Sequence, residues 1–267
     1  MDNRPIGIFD SGVGGLTVTS RVIKELPNEA IVYFGDTARV PYGSKSKETI
    51  TKFAKQDIRF LLSRNVKAVV IACNTVSSNS LDELKSTFDI PIFGVVEPGA
   101  AEAAKITQNR NIGVIATEAT IRSGAYEKEM LKNDSSVKVY SKACPLFVPL
   151  AEEGWVNEEI TLLTAKKYIS ELTAKNIDTI VMGCTHYPLL RECIKKAVGP
   201  NVTLVDPAYE TALVLKDYLL KNDMARLKER EPENEFYVSD QTEMFSRICR
   251  QALGRNFATR VINIEGF

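Results

Sequence analysis

The chain has 267 residues, 44% hydrophobic and 25% charged, with 34 basic side chains against 34 acidic ones and a single histidine. That length can bury one large or two mid-sized hydrophobic cores without disulfide or metal staples, and zero formal charge argues against nucleic acid as the main ligand. Five widely spaced cysteines without a C-x-x-C pair, no apolar signal region at the N-terminus, and a longest uncharged stretch (68–81) rich in Asn, Ser and Thr lead us to expect reduced thiols, a cytoplasmic location and no membrane span.

Short apolar runs alternate with longer amphipathic ones, the pattern of βαβ units feeding a mostly parallel sheet. Strands are predicted at 6–9, 31–35, 68–72, 92–95, 112–115, 137–140, 179–182 and 203–205. Helices fill the intervals. Residues 49–65 place Ile50, Phe53, Ala54, Asp57, Ile58, Leu61 and Leu62 at mostly helical spacing, so one stripe can cover a sheet face. Pro98 and Gly99 follow the fourth strand, mark a candidate domain border, and precede a helix over 100–105. The charged segment 221–235, with Pro232, reads as a solvated loop. The run 236–238, an amphipathic helix through Met244, Ile248 and Leu253, and a final run at 261–264 read as structural.

The run Pro5-Ile6-Gly7-Ile8-Phe9-Asp10-Ser11 resembles Asn111-Ile112-Gly113-Val114-Ile115-Ala116-Thr117. Likewise Val66-Lys67-Ala68-Val69-Val70-Ile71-Ala72-Cys73-Asn74-Thr75 resembles Ile177-Asp178-Thr179-Ile180-Val181-Met182-Gly183-Cys184-Thr185-His186. The chain reads as an internal duplication, each half with an opening strand and a later strand ending in cysteine.

Ligands of open α/β sheets bind beyond the carboxyl ends of the strands, which is where Cys73 and Cys184 fall. Two thiols converging on one cleft suit the inversion of a carbon stereocentre, because one group removes a proton and the other delivers one to the opposite face. Either cysteine alone would read as a small core residue, as Cys144, Cys193 and Cys249 do. The segment Asp10-Ser11-Gly12-Val13-Gly14-Gly15-Leu16 follows a strand and opens a helix, so its amides can approach an anion. Thr17 stands where a dinucleotide fingerprint needs glycine, and no Gly-Lys-Ser/Thr follows, so a carboxylate ligand fits better than a nucleotide. His186 is close enough to Cys184 to tune it or to protonate a substrate. A zinc site from Cys184, His186 and Cys193 lacks tight ligand spacing, and no metal is expected.

Together these motifs, with Gly35-Asp36-Thr37, Val40-Pro41-Tyr42-Gly43 and Leu150-Ala151-Glu152-Glu153-Gly154, resemble the glutamate racemase family over nearly the whole chain. The resemblance implies cofactor-independent interconversion of L- and D-glutamate, supplying D-glutamate for peptidoglycan. It assigns Cys73 and Cys184 as the acid/base pair, with Asp10 and His186 helping to set their protonation and Glu152, counted with the catalytic group, and Asp36 nearby. Asp10, Ser11, Pro41, Tyr42, Gly43, Asn74, Thr75, Thr117, Thr120, Thr185 and His186 are its substrate contacts. The fold expected is α/β, two pseudo-symmetric doubly wound domains with mostly parallel sheets and the active site in the cleft between them. Residues 1–97 with 208–267 would form one domain and 98–207 the other, in a homodimer. An aspartate racemase and a non-enzymatic regulator on the same fold are the competing readings.

Overall fold

A computed structural model describes residues 1–227, 232–240, 243–254 and 257–267. The first half runs β1 (Ile6–Asp10), α1 (Leu16–Glu25), β2 (Ile31–Gly35), α2 (Lys47–Ser63), β3 (Ala68–Ile71), α3 (Asn74–Thr87), β4 (Ile92–Gly94) and α4 (Val96–Ile106). The second runs β5 (Asn111–Ala116), α5 (Glu118–Ser123), α6 (Ala125–Asn133), β6 (Lys138–Ala143), α7 (Phe147–Glu152), α8 (Glu159–Thr173), β7 (Thr179–Gly183), α9 (Arg191–Val198) and β8 (Thr203–Val205). The chain then continues as α10 (Pro207–Lys221), β9 (Glu235–Val238), α11 (Glu243–Leu253) and β10 (Thr259–Val261).

Two sheets result, ordered β10-β9-β2-β1-β3-β4 and β6-β5-β7-β8, and every strand pair among the described residues is parallel. Removing β9 and β10 leaves the same four-strand order in both. The duplication extends to register: Gly7 pairs with Val69 and Gly113 with Ile180, equivalent positions of the repeat. A Cβ on Gly7 would lie 3.2 Å from Val66 and one on Gly113 2.8 Å from Ile177, so both halves use a glycine where the same aliphatic neighbour crosses the strand.

Side chains of β1 alternate between two apolar layers, as the two-residue period of a strand requires. Ile6 and Ile8 join α1, α10 and α11, whereas Phe9 joins α2 and α3. In β5, Ile112 and Val114 pack with α4 and α6, and Ile115 packs with α7, α8 and α9. Helix α10 packs against both α1 and α4, and α4 in turn covers β5 and β7 of the second sheet, so the halves are linked behind the sheets.

Three local expectations change. Helix α4 starts at Val96 rather than residue 100, because Pro98 falls in the first turn, where its missing N–H costs no helical hydrogen bond. Strand β6 runs on through Ser141 and Lys142 to Ala143 because it is a half-exposed edge strand that tolerates polar side chains. The charged segment 221–235 is not simply a solvated loop: Lys221 ends α10, Glu235 begins β9, and the Arg226 amide donates to Glu29 Oε1 at 2.8 Å. Its residues 228–231 lie outside the described residues.

Candidate active site

The chain leaves β3 at Cys73, which precedes α3, and leaves β7 at Cys184. Both thiols line one cavity of about 510 Å3 at the carboxyl edges of the two sheets. Ser11 and Gly12 enter from the loop after β1, residues 40–44 from the loop between β2 and α2, and Asn74 and Thr75 from the first turn of α3. The second half supplies Thr117 and Glu118, then Pro145, Val148, Pro149 and Glu152 around α7, then Thr185 and His186 after β7. A wider surface hollow of about 780 Å3, lined by Lys47, Lys52, Lys55 and Phe267 among others, contains neither thiol.

Cys73 and Cys184 have different partners. The Cys73 sulfur stands 3.2 Å from Ser11 Oγ. Burial, reinforced by the Asp10 carboxylate, pushes the Cys73 thiol up to about 12, while the Val76 amide and the Ser11 hydroxyl both pull the other way by favouring a thiolate. Asp10, fully buried, is itself raised by desolvation against the opposing pull of His186 and the Gly15, Gly12 and Ser11 amides. Its Oδ2 accepts from the Gly12 amide at 3.0 Å.

Cys184 Sγ lies 3.9 Å from His186 Nδ1, and His186 Nε2 lies 3.0 Å from Glu152 Oε1. Burial alone would pull His186 down, but its bonds to Cys184 and Glu152 hold it up to about 10. The contacts to Cys184 and Glu152 thus favour the imidazolium form of His186, which can donate from both nitrogens. Gly14 makes room for it, since a Cβ there would lie 2.6 Å from His186 Nδ1.

The two halves are joined directly at the cavity. The hydroxyls of Thr75, Thr117 and Thr120 form a triangle, with Thr117 3.0 Å from each of the others and Thr75 3.5 Å from Thr120. The Tyr126 hydroxyl donates to Asn74 Oδ1 at 2.6 Å, and the Ala119 amide donates to the Gly43 carbonyl at 3.1 Å. The Thr17 hydroxyl donates to the Thr185 carbonyl at 2.9 Å.

Of the residues expected from sequence, Cys73, Cys184, Ser11, Pro41, Tyr42, Gly43, Asn74, Thr75, Thr117, Glu152, Thr185 and His186 line the cavity. Asp10 and Thr120 stand behind that wall, hydrogen-bonded to Thr185 and to the threonine pair respectively. Asp36 belongs to a separate buried cluster, and the Tyr42 hydroxyl is engaged there, donating to Asp36. Cys193 Sγ bonds to the Val156 carbonyl at 3.3 Å and takes no part in the cavity. Sequence reasoning missed the apolar wall of Pro145, Val148 and Pro149, which carries no chemical signature; only the nearby motif Leu150–Gly154 pointed toward it, whereas Val40 lay within the motif Val40-Pro41-Tyr42-Gly43.

The chain matches the family model for Asp/Glu/hydantoin racemases over residues 6–213. It is 49% identical over 251 residues to a glutamate racemase of Geobacter metallireducens, covering 94% of this chain and 93% of that protein. It is 50% identical over 254 residues to one of Thermoanaerobacter pseudethanolicus, covering 95% of each. Among solved structures, the glutamate racemase of Francisella tularensis in complex with D-glutamate superposes with a TM-score of 0.93 at 40% identity over the full length of both chains.

Proposed function

The chain belongs to the Asp/Glu/hydantoin racemase family, and from that premise we propose that it interconverts L- and D-glutamate by passing the α-proton through Cys73 and Cys184. The observation that carries this reading is the arrival of both thiols, one from each half of a duplicated fold, in a single cavity.

A substrate α-hydrogen is weakly acidic, so a modest base can remove it only where fixed dipoles stabilise the negative charge that builds on the adjoining carboxylate. The glycine loop after β1 and the amides that open α3 supply such dipoles. Ser11, Pro41, Tyr42, Gly43, Asn74, Thr75, Thr117 and Thr185 hold the amino acid, and Thr120 supports Thr75 and Thr117 from behind. A cationic substrate ammonium entering beside Cys73 offsets Asp10 and favours the thiolate, the thiol proton passing to solvent as the substrate binds, and the thiolate is then the base. The Ser11 hydroxyl and Val76 amide are already in place to receive it. On the other side, His186, oriented by Glu152, holds a proton next to Cys184, so proton donation and abstraction at that sulfur share one relay.

To the same proposal belong the division into residues 1–97 with 208–267 and residues 98–207, a homodimer, a cytoplasmic location and a role in supplying D-glutamate for peptidoglycan. Among the described residues no helix is long and apolar enough to cross a membrane.

The test is α-deuterium incorporation from D2O, starting separately from each glutamate enantiomer with purified protein and no added cofactor. Incorporation into both, with decay of optical rotation, is expected. Absence of exchange from either enantiomer overturns the reading, and faster exchange of aspartate would reassign the substrate.

A further inference from the structure

Residues 40–44 form one wall of the cavity, yet the loop has little regular backbone bonding of its own: the Lys45 amide donates to the Tyr42 carbonyl at 3.0 Å and the Ala119 amide to the Gly43 carbonyl. Its main side-chain anchor is Tyr42, 1% exposed, whose ring lies 5.5 Å from that of Phe53. The Tyr42 hydroxyl donates to Asp36 Oδ2 and stands 3.4 Å from Asp57 Oδ2. Arg39 closes the group, with Nε 2.6 Å from Asp36 Oδ2, Nη2 3.1 Å from Asp57 Oδ1 and Nη1 2.6 Å from Gln56 Oε1. Its guanidinium also lies over the Phe53 ring at 4.1 Å.

Asp57 is the carboxylate on the otherwise apolar stripe of α2, fully buried, and packing alone would favour a leucine there. Two buried carboxylates, Asp36 and Asp57, share the Arg39 guanidinium, whose only other acidic partner among the described residues is the exposed Glu265, and this leaves a surplus negative charge out of water unless one of the two holds a proton. Burial first, then the neighbouring Asp36, raise Asp57 well above the usual carboxylate range, against the pull of Arg39. Asp57 Oδ1 accepts from Arg39 Nη2 and its Oδ2 faces the Tyr42 hydroxyl, which donates to Asp36; a proton on Asp57 would let it donate to the Tyr42 oxygen, giving each polar atom in the chain of bonds a partner.

We propose that Asp57, with Arg39, is a positioning residue for substrate binding: it fixes Tyr42 and through it the wall at residues 40–44, without touching the substrate. This rests on the racemase reading above. A wall that contacts bound substrate away from the two thiols contributes equally to the ground state and the transition state, so its loosening raises KM and spares kcat.

The experiment measures kcat and KM for both glutamate enantiomers in wild type, Asp57→Asn, Asp57→Leu and Tyr42→Phe. An asparagine amide can donate to Tyr42 and accept from Arg39 as a protonated carboxyl does, so Asp57→Asn is expected to keep KM within about twofold. Asp57→Leu and Tyr42→Phe are expected to raise KM about tenfold, the loss of roughly 1.4 kcal/mol of uniform binding, with kcat within about threefold. If Asp57→Leu does not fold, Asp57→Ser, which is smaller and also removes the carboxyl from Arg39 and Tyr42, is measured in its place, with Tyr42→Phe beside it. Wild-type KM in folded Asp57→Leu, in the Asp57→Ser that replaces it or in Tyr42→Phe, or an Asp57→Asn variant as impaired as they are, overturns the proposal. Failure of wild type to racemise would instead overturn the racemase reading.

Discussion

Cys73 and Cys184 occupy the same topological point in two copies of one four-strand arrangement, each following the strand that pairs with the opening strand of its half. Their surroundings are not copies. Cys73 has Ser11 and the Asp10 carboxylate, whereas Cys184 has the His186–Glu152 pair. Since the enantiomers of an amino acid are equal in energy in water, kcat/KM must be the same in both directions whatever this asymmetry. Its effects therefore lie in how kcat and KM divide.

Cys73→Ala and Cys184→Ala are each expected to lower racemisation by about 10²–10⁴-fold, the usual worth of a general acid or base. Elimination from a glutamate bearing a leaving group on its β-carbon needs only proton removal. Each variant should therefore retain that reaction with one enantiomer, and the two variants should retain it with opposite ones. Polarimetry and keto-acid release read the two outcomes, and racemisation at the normal rate in either variant would exclude the two-thiol scheme.

His186 carries a pH dependence whose sign is fixed. Held at about 10 when folded against an ordinary 6.5, the folded protein keeps a proton there that the unfolded chain has lost. Its contribution to stability is fully present below about 6.5 and disappears as pH rises through about 10. Urea midpoints measured between these limits should fall with pH in wild type, and the fall should flatten in His186→Gln. An equal slope in both proteins would show that His186 is not the titrating group.

Gly14 should tolerate no side chain. In Gly14→Ala the new carbon would press first on the Thr185 hydroxyl and then on His186, and a shift of about 1 Å in a proton-transfer group can cost about 10²-fold in rate. The expected result is a folded protein by circular dichroism with kcat reduced to that extent. Normal kcat would mean that His186 can move aside without consequence.

How much of this was readable from residue order follows from what each part depends on. Strand cores and the two cysteines were legible because apolar period and the position after a strand are local properties. Register equivalence was legible too, since Gly7 and Gly113 recur with Val66 and Ile177 at matching places. The start of α4 and the end of β6 were not, because a first-turn proline and an exposed edge relax the usual rules. Nor was the association of Arg39, Tyr42 and Asp57: it needs the turn at residues 37–39 folded back onto α2, which no period encodes. The apolar wall at Pro145, Val148 and Pro149 becomes a site only by facing Cys184 and Cys73 across space.

Lys67 offers a stability prediction separate from the chemistry. Its ammonium is wholly buried just before β3, at the opposite edge of the sheet from Cys73, 2.6 Å from Glu29 Oε2 and bonded to the carbonyls of Asp2 and Met224 at 2.8 and 2.7 Å. It thus ties the N-terminal segment and the chain after α10 to the first sheet. Lys67→Met would strand the Glu29 carboxylate, whose side chain is only 2% exposed, and removing one partner of such a pair costs about 3–5 kcal/mol. Adding Glu29→Leu should recover a large part of that loss, because the stranded charge is then gone. Activity per folded molecule should stay unchanged in both variants. Denaturant titration with active-site counting checks this; if the single variant is as stable as wild type, the buried pair contributes nothing to holding those two segments in place.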